Sequence, residues 1–127
     1  MIRVAIADDH PELRLALRLL LARAKNIEVV CEASNGPEAV ACARSQQPDV
    51  LVMDVDMPEL NGFAAAEQIT TLPTTTQIIL ISLHRGEAYR QKAATIGARG
   101  FVPKDKLVSS LLTAIEAVHR GQTYFLD

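Results

Sequence analysis

The sequence has no large excess of charge of either sign and no long uninterrupted apolar run. Charged residues make up 22% of the 127 positions, and the formal net charge is −2. The chain therefore lacks the basic field that holds a nucleic-acid backbone, and we expect no direct binding of nucleic acid. Arg14, Arg18 and Arg23 interrupt the longest apolar stretch near the N-terminus. This pattern argues against a targeting segment or a membrane span and predicts a cytoplasmic protein with no membrane partner.

Cysteine is also scarce in this sequence. The two cysteines, Cys31 and Cys42, have neither the spacing of a metal site nor a second pair beside them. A composition so poor in cysteine is not typical of a disulfide framework, so the sequence predicts two reduced thiols.

Linkers, repeats and low-complexity segments are also missing from the sequence. A chain of this length with 49% hydrophobic residues fits one domain with its own core. We place that domain at residues 1–121 and assign no regular structure to the tail after Gly121.

The pattern of apolar residues indicates an α/β protein in which strands and helices alternate. Such alternation is typical of a mostly parallel sheet covered by helices on both faces. The predicted strands are Ile2–Ala7, Ile27–Ala33, Val50–Met53, Ile78–Ser82 and Gly100–Val102. The predicted helices are Pro11–Lys25, a second from Asn35 to before Pro48, Gly62–Thr71, Glu87–Ile96, and a fifth from after Asp105 to Gly121.

Polar residues stand where these strands end. Asp8 and Asp9 follow the first strand, Asp54 follows the third, Ser82 closes the fourth and Lys104 follows the fifth. In an open parallel sheet the carboxyl ends of the strands form the ligand-binding edge. The sequence therefore predicts that three carboxylates, one hydroxyl and one ammonium group meet at that edge.

Clustered carboxylates raise one another's pKa unless a cation lies among them. Ligands that are all oxygen favour Mg²⁺, which accepts water in its remaining positions. We expect Asp8 and Asp9 to hold this ion while Asp54 acts as a nucleophile on phosphorus. Mg²⁺, the Lys104 ammonium and the Ser82 hydroxyl would then each contact one phosphoryl oxygen, and stabilisation of the charge on these oxygens is the main requirement of phosphoryl transfer.

These residues, taken together and in this order, resemble the receiver domain of bacterial two-component response regulators. The resemblance covers Ile2 to about Gly121 and rests on four segments: "DD" after the first strand, "MDVDMPELNG", Ser82 after an apolar strand, and "GFVPK". Within the family, "DDHP", "GARGFVPKD" and "HRGQTYF" are most similar to regulators with a LuxR-type helix-turn-helix output domain.

The resemblance implies a flavodoxin-like fold with strand order 2-1-3-4-5 and five helices. It also implies that Asp54 accepts a phosphoryl group from a sensor histidine kinase in a reaction that needs Mg²⁺. Asp56 would offer the ion its backbone carbonyl, while Ser82 and Phe101 would act as the switch. Such a domain is not an enzyme for other substrates, since it catalyses only its own phosphorylation and dephosphorylation.

The expected partners follow from the same resemblance. They are a sensor histidine kinase, an output domain of this or another protein, and a second copy of the chain after phosphorylation. Residues 122–127 would begin a linker toward a DNA-binding domain that this chain does not contain and that controls transcription.

Other interpretations of the same residues remain open at this stage. Aspartates at strand ends are also common helix caps, and an aromatic residue such as Phe101 in a last strand is more typical of a core than of a switch. The segment "DVD" also fits a haloacid dehalogenase-type phosphatase that uses Asp54 and Asp56, although the order of the acidic pairs argues against it. A receiver used only for interaction is disfavoured because every site residue is present.

Three further residues lie close to the predicted site. We expect His10 to stand at the start of the first helix and His84 in the loop at the mouth of the site, where it could act on the hydrolytic water. Imidazole is a poor ligand for magnesium, so neither histidine is expected to bind the ion. Leu83, directly after Ser82, is expected to cover the phosphoryl position and to slow access to it.

Overall fold

Runs of valine, isoleucine and leucine form one parallel sheet in the computed structural model, which describes residues 1–127. Helices separate successive strands, and a 3₁₀ turn at Lys104–Lys106 precedes the last helix. The strands are β1 Ile2–Ala7, β2 Ile27–Ala33, β3 Val50–Asp54, β4 Gln77–Ser82, β5 Gly100–Pro103 and β6 Tyr124–Phe125. The helices are α1 Pro11–Leu21, α2 Gly36–Gln46, α3 Gly62–Thr70, α4 Glu87–Thr95 and α5 Leu107–His119.

The sheet has the order β2-β1-β3-β4-β5-β6, and every neighbouring pair is parallel. The predicted order 2-1-3-4-5 is therefore confirmed, with one strand added at the β5 edge. Because β2 and β3 lie on opposite sides of β1, the chain reverses its direction of winding there. The carboxyl ends of β1 and β3 form the crevice at which such sheets bind ligands.

Two hydrophobic layers cover the sheet, one on each face. Alternation along β1 sends Ala5 toward the layer formed with α2, α3 and α4, and Ile6 toward the layer formed with α1 and α5. The central strands are buried on both faces, which explains why they read as continuous apolar runs. No helix of the fold is both long enough and apolar enough to cross a membrane.

Helix α1 ends at Leu21, four residues before the predicted limit at Lys25. The N–H groups of Arg23 and Ala24 donate to the carbonyls of Leu20 and Leu21, three residues back. These bonds belong to a tight turn rather than to an α-helix. The continued apolar spacing of this segment therefore reflects packing of the turn and not a further helical turn.

The tail after Gly121 contains a short strand that the sequence did not predict. Tyr124 and Phe125 form β6 and pair with Gly100 and Phe101 of β5. A strand of two residues carries too little periodicity to be recognised in a sequence.

The prediction of reduced thiols is wrong for this structure, in which Cys31 of β2 and Cys42 of α2 form a disulfide. Packing of α2 against β2 brings the two Cα atoms to 6.3 Å, within the range that a disulfide can bridge. This contact depends on how the helix lies on the sheet, so cysteine spacing alone could not reveal it.

We expect reduction of this disulfide to lower the free energy of unfolding by about 2–3 kcal/mol, because it closes a short loop in the unfolded chain. Urea unfolding with and without a thiol reductant measures the difference. A variant with Cys31→Ser and Cys42→Ser together is the control and should be insensitive to the reductant. Equal stability of the parent protein under both conditions would contradict the prediction.

Candidate functional site

The end of β1 places two carboxylates at the crevice. Asp8 is fully buried, and its Oδ1 accepts a hydrogen bond of 2.8 Å from the N–H of His10. Asp9 is more exposed, with 31% of its side chain accessible. Nδ1 of His10 lies 3.1 Å from Asp8 Oδ1 and 3.2 Å from Asp9 Oδ1. His10 stands at the N-cap position of α1, at the start of that helix as predicted.

Asp54 is the last residue of β3 and is 1% exposed. Its Oδ1 accepts a hydrogen bond of 3.1 Å from the N–H of Asp56, which orients the carboxylate in the crevice. The loop behind it can close only because position 62 is glycine: a Cβ on Gly62 would lie 2.2 Å from the Asp54 carbonyl oxygen. The start of α3 is thus held directly against the end of β3.

Lys104 joins the two buried aspartates. Its Nζ lies 3.1 Å from Asp8 Oδ2 and 3.2 Å from Asp54 Oδ2, and 11% of its side chain is exposed. These are ion-pair distances, although neither oxygen accepts a hydrogen bond of good geometry. One ammonium group thus faces two carboxylates and cannot neutralise both.

Burial and the neighbouring charges shift the pKa of Asp54. Burial is the main reason that the pKa of Asp54 rises from 3.8 to about 6. The N–H of Asp56 lowers this pKa, the Asp8 carboxylate raises it, and Lys104 lowers it. For Lys104, burial alone would lower the pKa, but Asp54 and Asp8 outweigh that effect and raise it above 10.5. The ammonium therefore stays charged, whereas the aspartate is held ionised at a cost in free energy.

This cost predicts that Asp54→Asn stabilises the protein when no divalent metal is present. Because the pKa is higher in the folded state than the usual 3.8, stability contributed by the protonated form is lost as the pH rises through about 6. At pH 8, we expect Asp54→Asn to increase the free energy of unfolding by about 1–3 kcal/mol. The gain should shrink as the pH falls toward 4. Urea unfolding at both pH values in chelator tests this; a gain that is absent at pH 8 or constant with pH would contradict it.

The donor set suits a hard divalent cation. Asp8 Oδ2, Asp9 Oδ1 and Asp54 Oδ2 are buried oxygens without a hydrogen-bond partner. The ligand atoms of these three aspartates and of His10 lie within 4.8 Å of one another. Unsatisfied buried carboxylate oxygens are costly unless a cation or water binds them. The residues present therefore fit Mg²⁺, which prefers oxygen ligands.

Ser82 and Phe101 lie at the ends of the adjacent strands. The Ser82 side chain is fully buried, and its Oγ accepts a hydrogen bond of 2.9 Å from the N–H of His84. No hydrogen bond joins Ser82 to Asp54 or Lys104 in this arrangement. Phe101 is 0% exposed and lies in the hydrophobic layer formed with α2, α3 and α4. The structure thus places Ser82 at the end of the strand next to β3, with no hydrogen bond to the carboxylates, and Phe101 in the hydrophobic layer on one face of the sheet.

Two contacts at the mouth of the site were not predicted. Nε2 of His84 lies 3.6 Å from Asp56 Oδ2, and both side chains are more than half exposed. The His84 ring is stacked on Tyr89 at 5.3 Å, and Tyr89 lies 6.5 Å from the ring of Phe101. A tyrosine within a polar helix gives no sequence signal for such a contact. Leu83 lies at the same edge and is 75% exposed.

The comparisons with known proteins agree with this geometry. The family described as "Response regulator receiver domain" matches residues 4–116. The response regulator UvrY of Escherichia coli K12 is 35% identical over 124 residues, which are 98% of this chain and 57% of that protein. A putative transcriptional regulator of Pseudomonas aeruginosa PAO1 is 35% identical over 125 residues, or 98% and 60% of the two chains. This chain spans about three fifths of the length of these curated relatives.

A solved structure is similar over the whole fold. The two-component response regulator of the LuxR family from Aurantimonas sp. SI85-9A1 is 34% identical with a TM-score of 0.92, over 96% of this chain and 87% of that one. The predicted likeness to LuxR-type regulators is thereby confirmed, and the haloacid dehalogenase alternative finds no support. With residues 4–116 matched and the fold shared throughout, the chain belongs to the response regulator receiver domain family.

Proposed function

We propose that this receiver domain is a phosphoprotein whose acceptor is Asp54 and whose phosphorylation depends on Mg²⁺. The observation that carries the proposal is the contact of one ammonium, Lys104, with two buried carboxylates at 3.1 and 3.2 Å. Three carboxylate oxygens of this cluster, one each from Asp8, Asp9 and Asp54, have no hydrogen-bond partner. Such a site has an excess of negative charge, and a divalent cation would balance it before an anionic phosphoryl group approaches.

In the transfer step, a carboxylate oxygen of Asp54 forms a bond to phosphorus. The bond between phosphorus and the imidazole nitrogen of the kinase phosphohistidine breaks, and that nitrogen keeps the electron pair and later takes a proton. Lys104 would place its positive charge against the transferred phosphoryl oxygens, where charge stabilisation is the main source of catalysis. The carboxylate needs no general base, because it is already ionised at neutral pH when its pKa is about 6.

Four residues would hold the metal: Asp8, Asp9 and Asp54 through carboxylate oxygens, and Asp56 through its backbone carbonyl. When bound, Mg²⁺ supplies positive charge against a phosphoryl oxygen. The Asp56 side chain is exposed, so we expect only the backbone of this residue to hold the metal. The histidines would remain outside the coordination sphere, since imidazole suits other metals better.

Ser82 and Phe101 would report the phosphoryl group to the surface formed by α4, β5 and α5. A phosphoryl group on Asp54 would offer the Ser82 hydroxyl an acceptor that it lacks now. A ligand shifts a conformational equilibrium only through contacts that differ between the two states, and this bond is such a contact. Phe101, already buried next to Tyr89, would respond through packing.

In the cell, we propose that a sensor histidine kinase phosphorylates this domain and that the switched surface controls an output domain, its own or another protein's. Similar proteins include transcriptional regulators, which supports control of transcription through a DNA-binding domain. Homodimer formation on phosphorylation and a cytoplasmic location fit the same role. The domain would act on its own aspartate only, with no turnover of other substrates.

Access to Asp54 would be set by the residues at the mouth of the site. His84 and Asp56, 3.6 Å apart, could orient the attacking water and hasten hydrolysis. Leu83 would oppose this by covering the opening with an apolar side chain. Because Leu83 is 75% exposed, its removal disturbs little packing, and changes in rate can be attributed to access.

We therefore expect Leu83→Ala to increase the rate of labelling by a small acyl phosphate several-fold at saturating Mg²⁺. About 1.4 kcal/mol in the barrier changes a rate tenfold, so a small change in access is measurable. Val108→Ala is the matched control, since Val108 is 76% exposed and lies on α5. If Leu83→Ala labels no faster than the parent protein while Val108→Ala is also unchanged, Leu83 does not cover the site.

The experiment that tests the proposed function is intact-mass measurement after incubation with Mg²⁺ and a small acyl phosphate. It requires no knowledge of the kinase. A single added phosphoryl group that depends on both Mg²⁺ and Asp54 supports the proposal, and repeated turnover of a phosphomonoester would instead indicate a phosphatase.

A further inference from the structure

Residues 124–126, near the end of the chain, are docked on the edge of the sheet. We call residues 122–127 the C-terminal strap. The N–H of Tyr124 donates to the carbonyl of Arg99 at 2.9 Å, and the N–H of Leu126 donates to the carbonyl of Phe101 at 2.8 Å. These bonds make the strap the outer neighbour of β5, so it occupies the edge of the strand that carries Phe101.

Side chains of the strap reach both hydrophobic layers. Phe125 packs against the layer that contains Phe101, while Tyr124 and Leu126 pack against the opposite layer. All three are partly buried. At Gly100 an added Cβ would lie 3.2 Å from the Tyr124 carbonyl oxygen, so the absence of a side chain there leaves room for the strap. The contact is therefore a packed interface and not a loose tail.

Two cations lie at the far end of the strap, Arg90 in an ion pair without hydrogen-bond geometry and Lys106 in a hydrogen bond. Nη1 of Arg90, on α4, lies 2.6 Å from a carboxylate oxygen of Asp127. Nζ of Lys106, in the 3₁₀ turn before α5, donates to the Asp127 carbonyl at 2.7 Å. The strap thus bridges α4 and the turn after β5, two segments that lie beside the proposed phosphorylation site.

Both anchor points are linked to that site. Arg90 follows Tyr89, which stacks on His84, and the N–H of His84 donates to the Ser82 hydroxyl. On the other side, Lys106 lies two residues after Lys104 in the same short turn. Arg90 and Lys106 therefore lie next to residues that contact Ser82 or share the short turn with Lys104.

We propose that docking of the C-terminal strap and phosphorylation of Asp54 oppose each other, so that the strap is released when the domain is phosphorylated. This proposal rests on the proposed function above. A phosphoryl group that draws the Ser82 hydroxyl and the Lys104 ammonium toward itself competes with the contacts that place His84, Tyr89 and the turn. Since the strap is anchored beside these residues in the arrangement seen here, their rearrangement weakens its anchors. The polypeptide beyond α5 thereby gains freedom only in the phosphorylated state.

Coupling between two binding events is reciprocal, so the mimic of the phosphoryl group should loosen the strap, and loosening the strap should raise the affinity for the mimic. Each effect can be measured. The first is followed by hydrogen–deuterium exchange of the Tyr124 and Leu126 amides, measured by NMR with and without Mg²⁺ and beryllofluoride, a mimic of the phosphoryl group. We expect exchange at these two amides to be about fivefold faster or more in the presence of the mimic.

The second effect is on the affinity for the mimic. Arg90→Gln removes one anchor of the strap and should tighten beryllofluoride binding severalfold at fixed Mg²⁺. Arg23→Gln is the matched control: Arg23 is exposed and makes no ion pair or side-chain hydrogen bond, and its replacement should leave the affinity unchanged. Phe125→Ser, which removes the packed ring, should act in the same direction as Arg90→Gln.

The outcomes separate the two proposals. Amide shifts around Asp54 and Ser82 together with unchanged or slower exchange at Tyr124 and Leu126 would overturn the coupling and leave the proposed function standing. Absence of any shift around Asp54 would overturn the proposed function, and the coupling with it. Tighter binding by Arg90→Gln and Phe125→Ser, together with faster strap exchange in the parent protein, would establish the coupling.

Discussion

Replacement of Asp54 by asparagine is expected to abolish labelling of the protein by a small acyl phosphate. The amide oxygen that replaces the carboxylate carries no negative charge and is a poor nucleophile toward phosphorus. We expect the rate of labelling to fall ~100-fold or more, since the reacting atom itself is lost.

A matched control separates loss of the acceptor from a general loss of negative charge. Asp105 is 65% exposed and pairs with Arg85 outside the carboxylate cluster. Asp105→Asn should be labelled at the parent rate. Urea unfolding should show that Asp54→Asn remains folded. Stoichiometric labelling of Asp54→Asn would eliminate Asp54 as the acceptor.

Removal of Mg²⁺ is expected to have an effect of similar size. Lys104 faces two carboxylates, and an incoming phosphoryl group adds further negative charge to a buried site. Without a divalent cation, the remaining charge opposes the approach of the donor. In chelator, labelling of the parent protein should fall ~100-fold or more and should recover fully when excess Mg²⁺ is added.

The same dependence can be tested with a variant. Asp9 contributes a buried oxygen to the cluster but forms no ion pair with Lys104. Asp9→Asn should therefore raise the Mg²⁺ concentration needed for half-maximal labelling by about tenfold or more, while labelling at saturating Mg²⁺ is less affected. Glu28→Gln, a change at an exposed residue of β2, should leave the Mg²⁺ requirement unchanged. Labelling of the parent in chelator at the full rate would refute a role for the metal.

Much of the fold was predictable because each strand carries its own signal. Strands buried on both faces appear as runs of valine, isoleucine and leucine, and parallel pairing brings their carboxyl ends to one edge. The approach of Asp8, Asp54 and Lys104 follows from that rule, although nearly a hundred residues separate the first from the last. Their roles in phosphoryl transfer remain predictions that the labelling experiments test.

Other features were not predictable because they depend on contacts between elements rather than on local pattern. The disulfide of Cys31 and Cys42 depends on the position of α2 over β2, which cysteine spacing does not encode. The stack of Tyr89 on His84 depends on the path of the loop before α4. The C-terminal strap is stabilised by β5 and not by its own propensity, so two of its six residues form a strand of the sheet although the segment appears irregular in sequence.

The most direct test of the central claim is to locate the phosphoryl group on the parent protein. After incubation with Mg²⁺ and a small acyl phosphate, intact mass gives the number of groups added, and mass spectrometry of rapidly digested protein identifies the modified peptide. We predict one group per chain, confined to the peptide that contains Asp54 and absent when chelator is present. An unmodified chain, or a phosphoryl group located on any other residue, would contradict the account.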